Sequence, residues 1–204
     1  MERASQIPPS DRGSVKGVAI REFLEYLDQR DGVTAVRERL LALPEELRNQ
    51  LRLDAPGCGI LAGSWYSNHL VHPMLDAVLA GKSPEERRAV AVEGDRAVMA
   101  ATFGGIYRGL FQLLATPNLV ARHAQTVWNK YYSDGEVDVD PVGPPESCLI
   151  IRGWKGFHPL IAEMTAEGFR IIYEGLGYRD AKSELLAGAS AREVRIRVRF
   201  GYTR

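Results

Sequence analysis

The sequence predicts an α+β fold in which an N-terminal helical block is followed by a ββαββ unit with an antiparallel sheet. Up to about residue 133, apolar residues recur every three or four positions, as in amphipathic helices. After Gly135 the period changes to two, as in half-buried strands. We therefore expect a flexible tail over residues 1–14 and a single α+β domain over 15–204, with its helical part at 15–133 and its sheet part at 134–204.

Proline, glycine and capping residues mark the boundaries between helices in the helical part. Residues 1–14 have no apolar period and contain Pro8-Pro9, so they cannot offset the entropy of ordering. The clearest helix start is Ser83-Pro84-Glu85-Glu86, which has an N-cap serine, a proline at the first helical position and a capping-box acid. Other helices are expected over residues 15–31 and 33–41, from Pro44 to about Leu51, and from Thr116-Pro117 to Ser133.

The sheet part begins with strict alternation in Glu136–Asp140. A turn at residues 141–145 leads to a second strand at residues 147–152, which predicts a hairpin. His158-Pro159 begins a helix that extends to about Gly175, and two further strands surround residues 188–190. The last strand places Val194, Ile196, Val198 and Phe200 on one face and three arginines on the other.

This element order resembles the superfamily shared by haem-nitric-oxide/oxygen-binding sensors, bacterial four-vinyl-reductase domains and core subunits of the transport-particle (TRAPP) tethering complex. Val15-Lys16-Gly17, Phe23, Tyr107-Arg108 and the alternating last strand resemble more closely a paralogue family concentrated in myxobacteria. The resemblance implies a non-catalytic ligand-sensing or signalling module, often dimeric. It also implies that Cys58 marks a lipid tunnel, since a cysteine of the tethering subunits carries a buried acyl chain.

In the haem-binding relatives, a histidine on a helix before the sheet ligates iron, and a Tyr-x-Ser-x-Arg motif on the second strand holds the propionates. His123 has the expected place on the apolar face of such a helix. The second strand continues as residues 149–157 without that motif, and Tyr131-Tyr132-Ser133 occurs too early and has Gly135 in place of the arginine. The missing motif argues against haem, so the sequence leaves the cofactor unknown and a core role for His123 open.

By analogy with this fold, we expect a pocket between the helical block and the sheet for a hydrophobic small molecule or lipid. The glycines around Tyr107 and Arg108 would let backbone approach a ligand or a neighbouring helix closely. The candidate lining residues are Tyr107, Arg108, His123, Trp128 and Tyr131. The aromatic residues among them are equally typical of a protein core.

Two enzymatic alternatives remain open in the sequence. His69, His72 and Asp76 would share one face of a continuous helix and suit a divalent transition metal. Pro73 weakens this reading, because a proline there predicts the first turn of a new helix with His72 just outside it. Cys58 between two glycines could be an activated thiol with His69 as its base, or a buried small residue. We expect no enzymatic activity, because no catalytic motif is complete.

Charge and composition restrict the classes of partner that the chain could bind. The chain has 26 basic and 26 acidic residues, two cysteines and no long apolar run, which favours a cytoplasmic protein without a membrane span. Arg195, Arg197 and Arg199 share one strand face and could bind the phosphates of a nucleic acid. However, Glu136, Asp138 and Asp140 also share one strand face, and if the two strands lie in one sheet they would form a cross-strand charge ladder, which argues against nucleic acid. The three arginines then become candidates for a surface that binds a protein partner or a second copy, and a purely structural interaction subunit is a further alternative.

Overall fold

The computed structural model describes residues 12–104, 117–140 and 145–201 of the chain. The expected α+β class is confirmed. A short 3₁₀ turn at Pro56–Gly59 contains three residues with positive φ, Gly57, Cys58 and Gly59. The α-helices in the described ranges are α1 (Gly17–Asp31), α2 (Val33–Leu40), α3 (Glu45–Arg48), α4 (Asn68–Val78), α5 (Pro84–Gly104), α6 (Pro117–Trp128) and α7 (Pro159–Gly175).

The strands form two antiparallel sheets. A small sheet pairs the first two strands, and a four-stranded sheet has the order β3-β4-β6-β5. The predicted hairpin between β3 and β4 and the predicted pairing of the last two strands are both present. The strands are β1 (Ser14–Lys16), β2 (Trp65–Ser67), β3 (Glu136–Asp140), β4 (Glu146–Arg152), β5 (Lys182–Leu185) and β6 (Glu193–Arg199).

Capping residues determine the starts of α5 and α7 as the sequence predicts. The Ser83 amide donates to Glu86 Oε2 at 2.7 Å, and the Glu86 amide donates to Ser83 Oγ at 3.2 Å, which completes a reciprocal capping box. His158 is the N-cap of α7, where its Nδ1 accepts from the Leu160 amide at 3.3 Å. Pro159 then occupies the first helical position, where no amide hydrogen is needed.

The expected helix break at Pro73 is wrong, because α4 continues through this residue. The proline removes one backbone hydrogen bond near the start of the helix. Burial of an apolar stripe offsets this cost and keeps the helix intact. The buried apolar residues of α4 are Leu70, Val71, Met74, Leu75 and Val78.

Two other boundaries differ from the sequence prediction. The sequence gives no sign of the short sheet of β1 and β2, because three residues are too few to show alternation. Ser14, assigned above to the tail, is fully buried in β1 and pairs with Ser67. The third helix ends at Arg48 and not near Leu51, because after Pro44 the chain completes only a single turn.

One continuous hydrophobic core joins the helices to the sheet. Helix α7 packs against α5 on one side and against β5 and β6 on the other. The sheet face toward α7 is apolar, and Ile151, Val194 and Ile196 on it have no exposed surface. The opposite face carries most of the charged residues of the strands. No helix in the described ranges has the length and apolar character needed to cross a membrane.

A buried hydrogen bond links α7 to the sheet and can be tested. The Tyr173 hydroxyl donates to Ser147 Oγ at 2.7 Å, and both residues are buried. We expect Tyr173→Phe to lower the free energy of unfolding by about 1–2 kcal/mol, because it leaves the Ser147 hydroxyl without a partner. Adding Ser147→Ala should recover most of the loss in urea denaturation. A double variant less stable than both single variants would contradict this assignment.

Candidate functional site

A cavity of about 110 Å³ lies between the helical part and the sheet. Four helices and β4 contribute to its wall, which is almost entirely apolar. The floor is Leu149 of β4, and residues of α7 close one side. The apolar lining includes Ala19, Val98, Met99, Ala124, Trp128 and Phe169.

A second cavity, of about 60 Å³, lies beside the first and is bounded by residues of α1 and α4. The two cavities share a wall, so a side-chain movement there would change both. The shared residues are Ala19, Asp95, Val98 and Tyr132. Two of these four are polar, which places the polar groups of the site at the junction between the cavities.

Asp95 of α5 is the acidic residue of this wall. Its Oδ2 atom is buried and has no hydrogen-bond partner in the part of the chain that the structure describes. Burial raises the pKa of the Asp95 carboxyl well above its ordinary value, and the negative charge of Glu167 raises this pKa further. An unpartnered buried carboxyl costs stability, so a position of this kind is typical of function.

Tyr132 supplies the second polar group. Its ring stacks on Trp128 with 4.2 Å between ring centroids, and its hydroxyl is hydrogen-bonded with Thr165 of α7. Burial raises the pKa of the Tyr132 phenol, so the hydroxyl keeps its proton. Trp128 is fixed in turn, because its Nε1 donates to the Asp134 carbonyl at 2.7 Å. The aromatic wall is therefore held in place before any ligand binds.

Glu167 is the acid whose charge raises the pKa of Asp95, and its own pKa is shifted in the opposite direction. Burial alone would raise the pKa of Glu167, but hydrogen bonds from Arg170 and Arg96 outweigh burial and lower this pKa. Arg96 Nε lies 2.6 Å and Arg170 Nη2 lies 2.7 Å from Glu167 Oε1. Glu167 is therefore a paired carboxylate, whereas Oδ2 of Asp95 has no partner within the described ranges.

Only some of the pocket residues proposed from the sequence line the cavity. Trp128 and Tyr131 line the larger cavity. His123 is half-exposed and is not part of this lining, because α6 turns the neighbouring Ala124 toward the cavity. Tyr107 and Arg108 lie outside the described residues.

Sequence reasoning missed Asp95, Tyr132 and Thr165. Asp95 was detectable, because it lies on the apolar stripe of α5 four residues after Ala91 and three before Val98. An acid in such a stripe is rare unless it is paired or functional. Tyr132 and Thr165 give no comparable signal, because aromatic and hydroxyl residues are common on half-buried faces.

The metal and thiol alternatives are not supported by the geometry. His72 Nε2 lies 3.2 Å from the Gly156 carbonyl, whereas Asp76 pairs with Arg87 and lies 3.7 Å from His158 Nε2. His69 is exposed and contacts Arg12. Within the described ranges, no three histidine, cysteine or acidic residues form a group that could hold a metal ion.

Cys58 is buried, and burial raises the pKa of its thiol, which opposes formation of the thiolate that a nucleophile needs. Cys58 and Cys148 are free thiols.

The predicted charge ladder between β3 and β6 is wrong, because β4 lies between them. The arginines of β6 pair with other acids on the same face. Arg197 Nε and Arg199 Nε lie 3.0 Å from the two carboxylate oxygens of Glu146, and Arg195 Nε lies 2.7 Å from Glu193 Oε1. This pairing lowers the positive charge available to a polyanion.

Comparison with solved structures identifies the fold. The chain superimposes on an Fe(II) unliganded H-NOX protein from K. algicida with a TM-score of 0.69 and 14% identity, over 92% of this chain and 97% of the other. A mutant H-NOX protein of T. tengcongensis gives 0.63 and 12%, over 92% and 98%. The architecture is therefore that of H-NOX proteins. No family model and no curated protein sequence matches the chain, so membership of the myxobacterial family stays a prediction.

A further matched structure concerns haem distortion in the H-NOX family, so we tested whether the cavity here fits haem. Sites that hold drug-sized ligands have roughly 300–1,000 Å³, well above the volume of this cavity. Its described lining contains no histidine, cysteine, arginine or lysine to hold iron or propionates. The raised pKa of Tyr132 also opposes the phenolate that would bind iron. The described residues do not fit haem.

Asp95 predicts a distinctive dependence of stability on pH. A raised pKa means that the folded chain holds this proton more tightly than the unfolded chain. The resulting stability is complete below the ordinary value of 3.8 and is lost as pH rises toward the higher pKa of the folded state. We therefore expect Asp95→Asn, which does not titrate, to gain stability relative to the native protein as pH rises from about 4 to about 7.

Urea denaturation at several pH values measures this difference. The control is Glu93→Gln, which removes an exposed acid two residues away on the same helix. A difference between native protein and Asp95→Asn that stays constant over this range would contradict the assignment.

Proposed function

We propose that the chain is a non-catalytic binding module that takes a small apolar molecule, and not haem, into the cavity between its helical part and its sheet. The observation that carries this proposal is the cavity itself, which is apolar and has a few fixed polar groups at one wall. Such a combination is typical of ligand sites. The H-NOX architecture supports a sensor role, in which ligand binding changes how α5 and α7 pack.

The volume and lining of the cavity define the ligand class. An engineered apolar cavity of about 150 Å³ in another protein binds benzene or xenon, so a cavity of this order admits a single-ring or short-chain molecule. Met99 and Phe169 supply adaptable and flat apolar contacts. A long acyl chain would require the two cavities to join across Val98 and Tyr132.

The polar groups support binding over catalysis. Burial raises the pKa of both Asp95 and Tyr132, which opposes the ionised form that an activated nucleophile needs. The free thiol of Cys58 lies outside the lining of both cavities.

The charged sheet face remains our candidate for a partner surface. Arg195, Arg197 and Arg199 lie there with their acids, and exposed ion pairs of this kind add specificity more than affinity. We propose that this face binds a second copy of the chain or another protein. We also propose a cytoplasmic location.

Isothermal calorimetry with toluene tests the proposal most simply, with thermal unfolding as a second readout. Binding to the native state at one hundred times Kd should raise the free energy of unfolding by about 2.7 kcal/mol. Stoichiometric binding is expected. Absence of binding for toluene, benzene and cyclohexane would overturn the proposal and favour a purely structural interaction subunit.

Filling the cavity should abolish this binding. Ala124 is buried and faces the cavity from α6, so Ala124→Leu places three more carbons in it. We expect loss of toluene binding together with a gain of about 1 kcal/mol in the free energy of unfolding, because the added carbons fill empty space. Ala100→Leu on the exposed side of α5 is the matched control and should bind as the native protein does. Undiminished binding by Ala124→Leu would place the ligand elsewhere.

A further inference from the structure

The polar wall of the cavity narrows the ligand class beyond apolar molecules. This inference rests on the proposed function, because it concerns the same cavity. Asp95 lies where the two cavities meet, and its buried Oδ2 has no hydrogen-bond partner among the described residues. A buried acceptor without a partner lowers the stability of the fold by about 1–3 kcal/mol. A ligand that donates a hydrogen bond to Oδ2 would recover this free energy.

The charges around Asp95 favour a positively charged donor. No lysine, arginine or histidine is among the described lining residues of either cavity. The titratable groups that face Asp95 are Glu167 of α7 and the phenol of Tyr132. Glu167 already binds Arg96 and Arg170 on its outer side, so neither arginine is available to neutralise Asp95. Among the described lining residues, the cavity therefore has an acid and no base.

Aromatic faces beside the carboxyl add to this preference. Trp128 and Tyr132 are stacked in the wall of the larger cavity, and Trp128 meets Trp154 edge to face with 4.9 Å between ring centroids. The faces of Trp and Tyr rings attract cations and do not attract anions. Tyr132 and Thr165 also offer hydroxyl oxygens that can accept from a second N–H of the same ligand.

We propose that the cavity binds a small apolar amine, whose ammonium group pairs with the Asp95 carboxylate while its apolar body fills the space between Val98, Ala124 and Phe169. The proton balance of this step is simple. Burial favours the protonated form of Asp95, the ammonium arrives charged, and a proton held by the carboxyl leaves to solvent as the ion pair forms. A body of one aromatic ring or a short alkyl chain suits the volume.

Benzylamine and ethylbenzene test the inference, because they have the same shape and differ in the charged group. We expect the native protein to bind benzylamine at least about tenfold more tightly than ethylbenzene, the value of one hydrogen bond to a charged group. Asp95→Asn should lose this preference and still bind ethylbenzene. Glu93→Gln is the control and should keep the preference.

Proton release gives a readout that needs no variant. Calorimetry at about pH 6 in two buffers of different ionisation enthalpy should show up to one proton released per benzylamine and none per ethylbenzene. Ethylbenzene binding without a preference for benzylamine, or tighter binding of benzyl alcohol than of benzylamine, would overturn the inference and leave the proposed function intact. Failure of all three to bind would overturn both.

Discussion

The packing of α5 between α1 and α7 is the contact on which the cavity depends. Two glycines permit it. A Cβ at Gly168 of α7 would lie 3.1 Å from Asp95 Oδ2, and a Cβ at Gly94 of α5 would overlap the ring of Phe23 on α1. Side chains of the neighbouring helices therefore pack directly against the backbones of α5 and α7 at these points. Asp95 lines the cavity beside Gly168.

Stability and function are opposed at Asp95. A leucine or methionine there would fill apolar space and remove a buried unpartnered oxygen, so folding alone gives no reason for an acid. The same opposition is absent at Glu167, where Arg96 and Arg170 satisfy the carboxylate. The two acids lie on helices that pack against each other, and only Glu167 has arginine partners among the described residues. A buried acid whose Oδ2 has no partner among the described residues, beside a cavity, suits a donor supplied by a ligand.

Local signals made most of the fold predictable. The capping box at Ser83 and the proline at α7 determined helix starts through hydrogen bonds that neighbouring residues make. The predictions were wrong where contacts between residues distant in sequence determine the structure. Helix α4 continues through Pro73 because its buried face stabilises it. Strand β4 lies between β3 and β6, whose opposite charges had suggested direct pairing. The site was predicted only in part. Trp128 was found through helical period, whereas the isolation of Asp95 depends on which residues of α1 and α7 surround it.

A crystal structure under xenon pressure is the most direct test of the central claim, because xenon binds in apolar cavities without needing any polar group. We predict anomalous xenon density between Val98, Ala124 and Phe169, with the surrounding helices unmoved. Xenon absent from this position, or ordered water filling the space, would show that the cavity is not an apolar binding site and would contradict the proposed function at its first step.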